Sequence, residues 1–320
     1  MLGFNDLKEH ILVTPSTVQC PVRNCTEKVA RQRKIFLREA IFKCPIHNIY
    51  ISPSTWEYEY NRDNLLWTDE TDLFLLEQIL AVKRESRMAR DNSEDAVTWN
   101  VFRFLERQHL IEPVLSSILN IPLSSAKVIY WSYSQKESKQ WLQLNQARKE
   151  FGETIKRGSE PDIIITTDKQ LLFIEAKFKA MNITKPSVNS KVDCYVNGAN
   201  RWFSTVFNTD FQTIAIQKQK YELLRFWLLG TWIADQNNLE FYLLNLVLSE
   251  NEKEIEPNFK PLIRESQSRH FKRITWEDIY SKILKFGISN PDQQNLIDYF
   301  ENKTIGYNAE GNLQHAFHGR

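Results

Sequence analysis

The stretch EPDIIITTDKQLLFIEAKF, residues 160 to 178, restricts what this chain can fold into more than any other. Its two apolar runs, separated by a short polar turn, read as an antiparallel hairpin. In such a pair, opposed residues step away from the turn in opposite directions, so a turn centred on Asp168 and Lys169 fixes the pairing. Asp162 then faces Glu175, with Cα atoms about 4.5–5.5 Å apart and both side chains on one face. Lys177 shares that face because strand side chains alternate, and Glu160 stands opposite it. Leu172, Ile174, Ala176 and Phe178 bury the other face. A one-residue bulge would instead send Asp162 and Glu175 to opposite faces.

Directly opposed carboxylates repel, and a cation between them removes that cost. Mg²⁺, or Mn²⁺ in its place, is suited to the position: it takes oxygen ligands, keeps several waters and binds through one or two carboxylates plus substrate phosphate. On this reading Asp162 and Glu175 are metal ligands, and Lys177 orients a water or stabilises a phosphorane-like transition state. The competing reading is a solvated surface hairpin with a chance Glu-x-Lys.

The rest of the chain has to house that hairpin. Its 320 residues suffice for one full-sized domain with one or two smaller additions. An apolar fraction of 42% and ample Trp, Tyr and Phe exclude a disordered chain. The formal charge of +1 means that any nucleic-acid contact must come from a local basic surface. No run approaches the roughly 20 apolar residues that span a bilayer, and MLGFNDLKEHILV carries acids where a signal peptide carries bases. The expectation is a cytoplasmic protein with no membrane partner.

Residues 1–62 form an irregular module rich in Pro, Cys and aromatic residues, and 63–91 a linker built on the acidic-to-basic helix DETDLFLLEQILAVKRESRMAR. A second helix begins at Ser93. AKVIYWSY then reads as a strand and is followed by a polar, helical stretch to about residue 151, the hairpin and a polar loop over 180–210. FQTIAIQKQKYELLRFWLLGTWIAD reads as one long helix, LEFYLLNLVLS as a buried strand, and 251–320 as a helical C-terminal region. Helix, strand, strand, strand, helix, strand is the order of an α/β core over 92–250, a central mixed sheet flanked by helices.

Pro161-Asp162, followed after twelve residues by Glu175-Ala176-Lys177 at the end of an apolar strand, resembles the PD-(D/E)xK nuclease superfamily of restriction endonucleases, resolvases and repair exonucleases. The order of elements from about 93 to 249 is similar to that superfamily's core. The resemblance implies a restriction-endonuclease-like fold, with Asp162 and Glu175 as Mg²⁺ ligands and Lys177 as the catalytic lysine. Members often add an acidic ligand from the helix before the sheet. Glu94 fits, heading a helical stripe with Val97, Val101 and Leu105, whereas Glu106 points about 120° away; the alternative is a first-turn acid behind an N-capping Ser93. Gln217 and Tyr221, at i and i+4, resemble a signature of the RecB-like branch, which places its Gln and Tyr near the active site and the nucleic-acid strand. An amide bonded to backbone is the other reading of Gln217. Lys218, Lys220 and Arg225 either meet phosphates or are solvated helix charges.

Cys20-Pro-Val-Arg-Asn-Cys25 and Cys44-Pro-Ile-His47 make two knuckles separated by 18 residues. Three thiolates and an imidazole are a tetrahedral set for structural Zn²⁺ in a zinc-ribbon-like module; the alternative is three reduced cysteines packed without metal. An iron–sulfur cluster in its usual form needs a fourth cysteine, and Cys194 reads as a bystander in a polar loop. Between the knuckles RQRKIFLREAIFK mixes bases with apolar residues, as a nucleic-acid face or a protein-docking face would.

Together these readings describe a Mg²⁺-dependent nuclease that hydrolyses phosphodiester bonds in DNA, an endonuclease of restriction or defence by fold-level analogy. It would act as a homodimer or with a partner protein of a multi-component system, and on no small-molecule substrate. The alternatives are a nucleic-acid-binding scaffold with a silent nuclease fold, and a repair exonuclease or junction resolvase.

Overall fold

The computed structural model describes residues 1–33, 35–154, 158–187, 192–286 and 290–317. The chain divides into two compact units, one of Met1–Asp69, Arg87–Gln108 and Gly287–Arg320, the other of Glu70–Ser86 and His109–Phe286.

The first unit opens with two short antiparallel pairs, β1 (Thr17–Gln19) with β2 (Lys28–Ala30) and β3 (Tyr50–Ile51) with β4 (Trp56–Glu57). Strands of two or three residues are not stable by themselves. Here Cys20, Cys25 and Cys44 pack with Val18, Val29, Ile51 and Trp56 in one apolar cluster. The chain then leaves for α1 (Glu70–Val82) of the second unit, which stops short of the expected end near residue 90. It returns for α2 (Glu94–Arg107), which starts where the sequence places it because the Ser93 hydroxyl accepts the Ala96 N–H at 3.2 Å.

The second unit continues with α3 (Ile111–Leu119), β5 (Lys127–Tyr130), β6 (Tyr133–Ser134), β7 (Lys139–Gln140), α4 (Leu142–Glu150), β8 (Ile163–Thr166) and β9 (Gln170–Ala176). After them come α5 (Val192–Val206), interrupted at Gly198–Arg201, then α6 (Tyr221–Gln236) and β10 (Glu240–Val247). α7 (Ile255–Phe259), β11 (Arg269–Thr275) and α8 (Trp276–Lys285) complete it. Seven strands form one mixed sheet in the order β11-β10-β9-β8-β5-β6-β7. β9, β10 and β11 run parallel and the remaining pairs antiparallel. Every residue of β9 is buried, as a strand covered on both faces must be. Leu171 and Phe173 of β9 and Phe241 and Leu243 of β10 pack with Leu223 and Trp227 of α6 in the main apolar core.

AKVIYWSY, read as one strand, is divided into β5 and β6 by a turn at Trp131 and Ser132, and three further segments differ from their sequence reading. Residues 180–210, read as a loop, contain α5. The C-terminal region, read as helical, gives β11 to the central sheet. The long helix over 211–235 is broken: a π-helical turn occupies Thr213–Gln217, Gln219 is left-handed at φ 55° and α6 starts only at Tyr221. Periodicity continues across the break, but Thr184 is inserted there. It donates its N–H to the Gln219 carbonyl at 2.8 Å, and its carbonyl and hydroxyl accept the Tyr221 and Glu222 N–H groups at 3.3 and 2.8 Å.

The first unit is completed by α9 (Pro291–Asn302), β12 (Thr304–Tyr307) and β13 (Leu313–His315). Lys303 and Thr304 both bind the buried Asp91 carboxylate, at 3.1 and 3.0 Å, and so fix this C-terminal segment to the loop before α2.

Gly230 is where α6 comes closest to the sheet. A Cβ there would lie far inside van der Waals contact with the Phe241 ring, which is held edge-on by Phe173 at 5.4 Å and Trp227 at 5.7 Å. Helix propensity alone predicts that Gly230→Ala stabilises by about 1 kcal/mol. Overpacking is expected to win, with a net loss of about 1–3 kcal/mol in urea unfolding; a raised midpoint would show that Phe241 yields.

Candidate functional site

The hairpin keeps the register that brings its charges together. Ile163 pairs with Ile174 and Thr166 with Leu171. Thr167 closes the turn, its hydroxyl accepting the Gln170 N–H at 2.8 Å and its N–H donating to the Gln170 carbonyl at 2.9 Å. Asp168 is anchored from outside by the Ser125 hydroxyl at 2.8 Å. Continued past the strand ends, this register sets Asp162 opposite Glu175, and both are buried with Lys177.

Asp162 is clipped in place. One carboxylate oxygen accepts the Ala176 N–H at 2.9 Å and the other the Trp131 indole N–H at 3.0 Å. Trp131 reaches it from a two-residue turn between β5 and β6, in which Trp131 and Ser132 both have positive φ, 43° and 76°. Such turns favour Asn and Gly, so two L side chains here are a local strain. Arg148, itself buried, holds the far side: it donates to the Ser132 hydroxyl at 2.9 Å and, through Nε, to the Ser159 carbonyl at 2.9 Å.

Lys177 is fixed through its backbone, its N–H donating to Leu246 at 2.7 Å and its carbonyl accepting the Trp276 indole N–H at 3.1 Å. Its ammonium binds the Glu175 carboxylate and lies 3.2 Å from that of Glu222. Glu160, expected opposite Lys177, turns instead toward Arg84, at 3.9 Å. Glu222, in the first turn of α6, is the member that the sequence reading missed. No local signal marks it, because the ammonium it meets is on Lys177, 45 residues earlier and on another element.

Two carboxylates, Glu175 and Glu222, thus meet one ammonium, and a third, Asp162, faces Glu175. Burial, the Glu222 charge and the Asp162 charge together push Glu175 well above the ordinary carboxylate range, although Lys177 opposes them. Burial acts on Glu222 in the same direction, but Lys177, Arg225 and a hydrogen bond from Glu175 outweigh it and hold Glu222 below that range. The two shifts run in opposite directions, so Glu175 is the member of the pair that takes up a proton more readily.

The remaining candidates fall elsewhere. Glu94 is the half-buried first residue of α2 and belongs to the first unit, while Asp162, Glu175 and Lys177 belong to the second. Gln217 and Tyr221 do not share a helix, since the break separates them; Gln217 and Lys218 are exposed. Tyr221 packs edge-on against Tyr195, with hydroxyls 3.3 Å apart. Arg225 lies over the Tyr221 ring at 4.7 Å and 3.8 Å from Glu153, so its charge is directed inward.

The N-terminal knuckles do converge. The ligand atoms of Cys20, Cys25, Cys44 and His47 all lie within 4.8 Å of one another. Nδ1 of His47 is 3.7 Å from the Cys20 sulfur and 3.5 Å from that of Cys44, and Cys25 and Cys44 are 3.9 Å apart. Zinc bonds of about 2.3 Å to sulfur and 2.0 Å to nitrogen give tetrahedral edges of about 3.5–3.8 Å. The group is therefore one that can hold a structural zinc ion. Burial, and after it the neighbouring Cys44, push the Cys20 thiol up when no cation is bound, and the Lys8 ammonium binds the Cys20 carbonyl at 2.7 Å.

No protein-family model, curated protein or solved structure matches the chain. The site has to be read from its own chemistry.

Two measurements follow from it. The purified protein is expected to contain about one zinc per chain, and Cys44→Ser to lose the metal and unfold the first unit; a metal-free protein with that unit intact would refute the site. For Glu175, the folded state keeps a proton that the unfolded chain releases near its ordinary value, so stability falls as pH rises above that value. Without divalent cation, Glu175→Gln should therefore melt higher than the parent at pH 8, with the difference shrinking toward pH 4.

Proposed function

We propose that the second unit is a PD-(D/E)xK-type nuclease core with a restriction-endonuclease-like fold, hydrolysing phosphodiester bonds in DNA with Mg²⁺ or Mn²⁺. The observation that carries the reading is the buried facing pair Asp162 and Glu175 with the Lys177 ammonium on Glu175. Three ionisable carboxylates against one ammonium leave the centre short of positive charge, and that deficit fits a divalent cation held by Asp162 and Glu175. Bound there, the cation would supply electrophilic stabilisation of the scissile phosphate and a more acidic water.

The chain's own groups do the rest. The Trp131 indole and the Ala176 amide fix the Asp162 carboxylate, so that it needs no reorganisation when a phosphate arrives. Lys177 places a positive charge next to the carboxylates, positioned to orient a water or to meet charge developing on the phosphate. Glu222 holds that ammonium from the opposite side. Restriction or defence is the setting we favour, with a homodimer or partner protein supplying the second site that cleavage of both strands requires. One observation favours a silent scaffold instead: Lys177 bridges Glu175 and Glu222 and partly neutralises the centre without metal.

Incubation with linear, circular and single-stranded DNA and with RNA, with and without Mg²⁺ or Mn²⁺, separates these readings. Asp162→Asn, which keeps the side chain's size but sets an amide NH2 against one of the two N–H donors of the clip, and Lys177→Ala are each expected to lower cleavage by about 10²-fold or more. Cleavage indifferent to both substitutions would sink the assignment. Absence of cleavage on every substrate would favour the scaffold.

A further inference from the structure

The first unit carries a groove of about 660 Å³. Arg31 and Arg33, just past β2, line it together with the Ser52–Thr55 turn between β3 and β4 and with Arg90 ahead of α2. We propose that this groove binds the phosphodiester backbone of a nucleic acid.

Among the described lining residues three are arginines and none is acidic. Arg33 is exposed and makes no ion pair with the described residues. Arg31 spends one donor on the Thr14 carbonyl at 3.0 Å and keeps the rest of its fork. Arg90 stacks on Phe36 at 4.6 Å, and its Nε is buried with no partner. Among the described residues its one neutralising contact is Glu57 at 3.6 Å, a carboxylate that Arg38 shares at the same distance. One acid thus serves two of the four guanidinium groups in and beside the groove. Planar guanidinium forks with the Ser54 hydroxyl among them form a set that phosphate oxygens fill well.

The walls are built in advance. The Ser52 N–H and hydroxyl both donate to the Thr55 carbonyl, at 2.8 and 2.9 Å. The Tyr307 N–H holds the Ser54 carbonyl at 2.9 Å, and Gly306, at φ 88°, passes so close to that carbonyl that a Cβ would collide with it. Opposite, the Gln32 amide ties the arginine segment to the Ile51 carbonyl at 2.9 Å. A rigid groove loses little freedom when a chain is laid in it. The choice of a nucleic acid over an acidic peptide rests on the nuclease reading of the hairpin site; the groove and its charge do not.

The test uses the full chain carrying Asp162→Asn, zinc-loaded and without added Mg²⁺ or Mn²⁺, and follows the anisotropy of labelled single- and double-stranded oligonucleotides against salt. Adding Arg31→Ala and Arg33→Ala, both at exposed positions, is expected to weaken binding and to reduce the slope of log affinity against log salt by about 2. Zinc content and melting should not change. An unmoved slope, or no binding by the folded protein, overturns the proposal. So does equal displacement by poly-glutamate, which would assign the groove to an acidic peptide, or by inorganic phosphate at matched concentration, which would assign it to a free anion. Cleavage is read separately with the parent protein: cleavage that survives Asp162→Asn removes the hairpin site and leaves the groove standing, and Asp162-dependent cleavage with an unmoved salt slope does the reverse.

Discussion

A carboxylate on a strand buried from both sides must find its partners inside the protein, because water is not there to supply them. Asp162 and Glu175 impose that condition on the second unit, and much of its irregular structure is the response. The strained turn at Trp131 and Ser132 brings an indole N–H to Asp162. Arg148 then fixes that turn to Ser159 in the segment before β8. The break before α6 gives the helix a fresh N-terminus at Tyr221, capped from Thr184, and that N-terminus carries Glu222 to Lys177. An apolar hairpin of the same register would need none of these features.

The charges that result are not equivalent. Glu222 sits in the first turn of a helix, where the peptide dipoles favour a negative group, and it has Lys177 at 3.2 Å. Glu175 lies deeper, on a central strand beside Asn245 of β10, and it faces Asp162. Unlike environments of this kind separate the protonation of two neighbouring carboxyl groups. The separation makes Glu175 the more readily protonated of two acids around a shared ammonium.

The first unit meets a different shortage. Its paired strands are two to four residues long, so its secondary structure contributes little stability by itself. Three features tie its parts together: the convergence of Cys20, Cys25, Cys44 and His47, the apolar cluster around them that includes Tyr307, and the buried Asp91–Lys303 pair. The last two link segments that are far apart in sequence. Links of this kind offset part of the entropy lost in ordering segments whose strands are so short.

How much of this can be read from the residues alone depends on how local each cause is. The register of the hairpin is a local matter, decided by the turn and by alternation, and it was legible down to Asp162 facing Glu175. Thr167, whose hydroxyl closes the turn, was the available sign that Asp-Lys need not be a favoured turn pair. The start of α2 was legible for the same reason, since Ser93 lies next to the group that it caps. The mixed sheet followed from the order of elements, but β11 did not: RHFKRIT carries Arg269, Lys272 and Arg273 with no alternation of polar and apolar residues, and only the neighbouring β10 makes it a strand. The helix break is the clearest case of a distant cause. Apolar periodicity across residues 211 to 235 is uninterrupted, and what divides it is Thr184, about thirty residues earlier in the chain, arriving at backbone groups that an unbroken helix would have kept for itself. Glu222 was hidden because its partner, the Lys177 ammonium, is distant in sequence and nothing around residue 222 points to it.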